Sequence, residues 1–94
     1  MSTIAVTRTH GMTLKKAKAA AEEIAAELAE EFDICYAWEG NVLHFERTGV
    51  EGSITVDRKH VTVQARLGLM LMLLRTRIEQ EIHRFCDEQF GPAT

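Results

Sequence analysis

The chain has 94 residues and a net charge of −3, with 46% hydrophobic and 27% charged residues. That length suits one domain spanning 1–94, and the balance of residues excludes a disordered chain. A chain with an acidic excess, a single Trp and a single Tyr lacks the basic surplus and stacking aromatics of a nucleic-acid binder, so no nucleic-acid partner is expected.

Residues 4–8 alternate and are rich in β-branched side chains, which predicts a first strand with Ile4 and Val6 on one side and Ala5 and Thr7 on the other. After a connection over 9–12, Thr13 is placed to cap a helix running from Leu14 to about Phe32. Its expected buried stripe is Leu14, Ala17, Ala21, Ile24, Ala25, Leu28 and Phe32. The charges of this helix run against its dipole. Lys15, Lys16 and Lys18 come first, and Glu22, Glu23, Glu27, Glu30 and Glu31 follow. Two readings stand for the acids: a solvated face, or a docking strip for a basic partner.

A second strand is predicted over 34–38, then a turn at Glu39-Gly40-Asn41 in which Gly and Asn supply positive φ. A third strand follows over 42–47, a second turn over 48–52, a fourth strand over 53–56, a polar turn over 57–60 and a fifth strand over 61–65. These four consecutive strands form an antiparallel meander. Arg66 leads into a last helix that starts at Leu67 and fades by about Phe90, leaving a flexible tail over 91–94. The order β-α-β-β-β-β-α predicts an α+β two-layer sandwich, with both helices on one face of an antiparallel sheet.

The opening of the last helix is the unusual stretch. At about 100° per residue, Leu67, Met70, Leu71, Leu74, Ile78, Ile82 and Phe85 make one stripe that docks on the sheet. Leu69, Met72 and Leu73 then fall on the opposite side, where a packed helix should be polar. This surplus apolar surface needs a cover: a loop, a second copy of the chain, or an apolar surface outside the protein. A domain this small buries only about two thirds of its unfolded surface, so a homodimer is an economical cover.

Few residues of the chain form a pattern that carries chemistry. Cys35 and Cys86 are far apart with no CxxC, and read as reduced thiols in a cytoplasmic protein. His83 and Cys86 share a helix face without further ligands, so neither a metal nor a cofactor is expected. Counting across the first hairpin puts Tyr36 near His44 and Cys35 near Phe45, which sends Cys35 and His44 to opposite faces and argues against a thiolate–imidazole pair. The same hairpin leaves Tyr36, Trp38, His44 and Glu46 as candidates for the face away from the helices, although a Trp38 buried in the core ranks ahead of an exposed one. Arg8, His10, Lys15 and Lys16 gather near a helix N-terminus, where an anion would be received. Scattered exposed charge is the plainer reading. No phosphate loop or nucleophile motif occurs, and the expectation is a protein that is not an enzyme. The longest apolar run, 67–74, is far short of the ~20 residues of a transmembrane helix.

Taken in order, the pieces resemble the polyhydroxyalkanoic acid system proteins. The resemblance is carried by Arg8-Thr9-His10, the Ala-rich stretch 17–28, Gly40-Asn41-Val42-Leu43-His44-Phe45, Gly49-Val50-Glu51-Gly52-Ser53-Ile54-Thr55-Val56, residues 61–71 and Ile78-Glu79-Gln80-Glu81-Ile82. It implies a bacterial cytoplasmic accessory protein of storage-polyester metabolism, working at or near the polyhydroxyalkanoate granule or with another granule protein. It carries no catalytic residues with it. A granule is an apolar surface inside a cytosol and would suit Leu69, Met72 and Leu73. Cover by a second copy or by the chain itself ranks ahead of direct granule contact. The alternative function is a small binding module for an acyl-type apolar ligand held between sheet and helices, which requires a cavity there.

Overall fold

The computed structural model describes residues 2–91. Strand β1 (Ser2–Thr9) is followed by helix α1 (Leu14–Phe32). Strands β2 (Cys35–Glu39), β3 (Val42–Arg47), β4 (Val50–Val56) and β5 (His60–Leu67) come next. A 3-10 strap (Leu69–Leu74) leads into helix α2 (Arg75–Phe90). The five strands form one antiparallel sheet in the order β1-β5-β4-β3-β2, so the first strand closes onto the end of the meander. Both helices lie on one face, as the element order predicts. Of the tail expected over 91–94, only Gly91 falls within the described residues.

The register explains which face is core. Ile4, Ala65, Gly52 and Phe45 are successive cross-strand partners, as are Val6, Val63, Ile54 and Leu43. These positions point toward the helices and, Gly52 apart, are buried against Ala17, Ala21, Ile24, Leu28, Ile78, Ile82 and Phe85. Thr3, Gln64, Ser53, His44 and Cys35 sit on the alternate positions, which form the open face. Alanines on α1 let that helix lie close to the sheet, while α2 supplies larger side chains.

Thr13 caps α1, its hydroxyl accepting the Lys16 N–H at 3.2 Å. Asp33 ends the helix in the left-handed region at φ 58. Part of the acidic strip meets α2: Arg77 lies 3.3 Å and Arg84 4.0 Å from the Glu31 carboxylate. Desolvation, with Glu88 and Glu23 beside it, raises the Glu27 carboxyl above its ordinary range.

The structure corrects four expectations. Only Gly40, at φ 62, has positive φ in the β2–β3 turn, and Asn41 does not. Glycine at the first central position is the pattern of a type II′ turn. The turn is two residues long, so Ala37 rather than Tyr36 opposes His44, and Cys35 opposes Glu46. That one-residue shift turns every β2 side chain over. Tyr36 and Trp38 face the helix side, while Cys35 shares the open face with His44. Trp38 is half-buried on α1, its indole N–H donating to Glu22 Oε1 at 2.8 Å with the Lys18 ammonium 4.9 Å from its ring.

The second turn is likewise only Thr48–Gly49, because Arg47 pairs directly with Val50 and Gly52 lies inside β4. Finally, the last helix does not start at Leu67. That residue ends β5 and is fully buried.

Candidate functional site

The site grows out of the end of β5. Leu67 is held in the core, so the chain cannot begin a helix there. Gly68 stays extended at φ −75, ψ 173, and its N–H reaches the carbonyl of Gly49 in the β3–β4 turn at 2.8 Å. Six residues, Leu69–Leu74, then wind as a 3-10 helix before α2 takes over at Arg75.

Three residues per turn, rather than 3.6, decides what faces where. Leu71 and Leu74 fall on the same side and point down onto the core. Leu69 with Met72, and Met70 with Leu73, make the two outer columns. Leu69, Met70 and Leu73 are 79%, 82% and 95% exposed, and Met72 and Leu74 are 39% and 40% exposed. No residue of the strap is buried. The surface expected at Leu69, Met72 and Leu73 therefore has no cover within the described chain. Met70, assigned from the sequence to the buried stripe, joins it, because that stripe assumed a helical period through the strap. The only signal for the break was Gly68.

Beneath Leu71 and Leu74 lies a small, partly closed void of about 40 Å³ between both helices and the sheet, with exposed Arg47 at its rim. Leu28, Phe32, Ile34, Phe45, Val50, Ala65, Ile78 and Ile82 line it, and Arg47 is its one charged lining residue. Arg47 Nη1 donates to the Phe32 carbonyl at 2.7 Å. No sequence feature singled out Arg47; its place follows from the end of β3 lying beside the end of α1.

The residues read as an anion contact are placed differently from one another. Arg8 is buried and turned toward α2, where Nη2 lies 3.0 Å from Asp87 Oδ1 and 3.0 Å from His83 Nδ1. Because a guanidinium only donates, His83 accepts on Nδ1. His10 is also buried. Its Nδ1 accepts the Met12 N–H at 3.3 Å, so Nε2 carries the proton donated to the Asp57 carbonyl at 2.7 Å. Lys15 and Lys16 are exposed on the first turn of α1. The polar atoms of Arg8 and His10 thus have partners inside the fold, while the two lysines face outward.

The open sheet face carries a shallow depression of about 530 Å³ lined by Cys35, His44, Glu46, Glu51, Ser53 and Arg66 among others. His44 is directly across from Ser53, and Cys35 is diagonal to His44. No hydrogen bond joins these three among the described residues. Glu46 and Glu51 face each other across β3 and β4, and Arg66 lies 3.7 Å from Glu51. No cluster of three or more His, Cys, Asp or Glu side chains able to hold a metal occurs among the described residues. Among them, too, no helix is long and apolar enough to cross a membrane.

No curated protein and no solved structure matches the chain. The profile of the family described as "Putative polyhydroxyalkanoic acid system protein" matches residues 4–90. That span runs from the first strand to the end of α2, and the chain belongs to this family of polyhydroxyalkanoic acid system proteins.

Proposed function

We propose that the chain is a non-enzymatic accessory protein of polyhydroxyalkanoate storage metabolism, and that it adsorbs to the apolar surface of the cytoplasmic granule through the strap. One observation carries this reading: Leu69, Met70 and Leu73 are 79–95% exposed on a single protrusion of a small domain. The described residues leave these side chains uncovered, and membership of the family supports a polyester surface as the cover. Each fully buried Leu or Met contributes about 1.5–3 kcal/mol, less the cost of orienting the molecule. Adsorption is therefore reversible, and two straps on a homodimer would hold more firmly than one. Homodimer formation through the same surface is the competing use of these residues.

The test is co-sedimentation with isolated granules, for wild type and Leu73→Glu, with circular dichroism as the check on folding. Loss of about 1.5–3 kcal/mol corresponds to roughly ten- to a hundredfold weaker binding. A folded Leu73→Glu protein that sediments as wild type does would overturn the strap as the contact.

A further inference from the structure

We infer that the void beneath the strap is a binding pocket for a hydrocarbon chain ending in a carboxylate, opened when Leu71 and Leu74 swing outward with the strap. The site is distinct from the granule contact, since Leu69, Met70, Met72 and Leu73 form no part of its lining. Three observations converge on it.

The first is the lining, which is apolar on every side except at Arg47. The void lies where Ala65 leaves room between the sheet and the two helices. At about 40 Å³ it is the seed of a pocket and too small for a chain with the strap down.

The second is the seal. A 3-10 run of six residues is longer than this geometry usually sustains, and it presents only two side chains inward. Both are incompletely buried, with Leu74 40% exposed. The strap is tied down near its start by the Gly68 N–H on Gly49 and by Leu71, whose Cγ would lie 3.2 Å from a Cβ at Gly49. Lifting the two leucines leaves a trough floored by Phe45, Val50 and Ala65 and walled by Ile78 and Ile82. A hydrocarbon chain in that trough replaces the contacts the leucines give up.

The third is the charge at the rim. Arg8, Arg66, Arg75, Arg77 and Arg84 each have a carboxylate within 4.0 Å. Arg47 and Arg58 have none among the described residues, and of these two only Arg47 lines the void. One of its donors is spent on the Phe32 carbonyl, which fixes the guanidinium beside the mouth. Its remaining donors suit a carboxylate, whose paired oxygens match a guanidinium fork.

The probe is octanoate, with octanol as the uncharged control, titrated calorimetrically into wild type, Arg47→Gln, Ala65→Leu and Leu73→Glu. Wild type should bind octanoate saturably at one site. Arg47→Gln should weaken octanoate at least about tenfold and leave octanol unchanged. Ala65→Leu, which fills the void, should abolish both. Leu73→Glu should keep octanoate binding whatever it does to granule adsorption, so the two readings fail separately. Methyl NMR of the wild type guards against a misfolded Ala65→Leu, because bound octanoate should shift Leu71, Leu74, Ile78 and Ile82. No saturable binding, full octanoate binding by folded Ala65→Leu, or shifts confined to Leu69 and Leu73 would each overturn the pocket.

Discussion

At the scale of single residues, the two cysteines show how strongly placement governs chemistry. Cys86 lies in the core beside Arg8 and Asp87, and burial pushes its thiol up to about 11. Cys35 is exposed on the open face of the short edge strand β2. Only a thiolate attacks an alkylating reagent efficiently. Iodoacetamide near neutral pH should therefore add once to the native protein, at Cys35, and twice after unfolding in guanidinium, as read by intact mass. Two adducts on the native chain would mean that the α2–β1 packing opens readily. Arg8 follows the same logic. A buried arginine needs partners, and Asp87 and His83 on α2 supply them, which ties the first strand to the last helix.

Among the elements, β4 and the strap are the two that depart from simple patterning. Gly52 is glycine inside a strand because the Gln64 carbonyl and the Phe45 ring occupy the space a side chain would need. A Cβ there would lie 2.6 Å from Phe45 Cζ and would also crowd the Gln64 carbonyl. Gly52→Ala should cost about 1–3 kcal/mol through overpacking. That lowers the melting temperature by about 4–8 °C per kcal/mol in a domain of this size, measurable by a thermal melt. An unchanged melting temperature would show that both the β5 backbone at Gln64 and the Phe45 ring give way to the methyl group. The strap is a short run inserted between a strand that needs Leu67 and a helix that needs Ile78. Its tight winding reverses the facing of Met70 relative to a continuous α-helix.

For the whole molecule, the question is what meets the strap. An apolar protrusion on a domain this small is a natural contact between copies. Light scattering on wild type and Leu73→Glu separates the two covers. A wild-type dimer with a folded monomeric variant would assign the strap to a homodimer interface and count against the proposed granule contact there. Monomers in both cases, with the variant more soluble, would leave the strap free for the granule.

The α+β class, the element order, the Thr13 cap and the buried stripe of α1 were all legible in the sequence. Each follows from local periodicity or from a side chain bonding to its own neighbourhood. The exposed Leu69, Met72 and Leu73 were legible too, as apolar residues left over once a stripe was assigned. What only the tertiary structure decided came from distant partners. The open-face position of Cys35 depended on a turn one residue shorter than expected, since a single-residue slip exchanges the two faces of a strand. Met70 was turned outward because β5 kept Leu67 and left the next residues to wind at three per turn. Arg47 came to rest over an apolar void because the ends of α1 and β3 lie side by side. None of these has a local signature: period and propensity act within a few residues, whereas register and closure are settled by contacts between segments far apart in the chain.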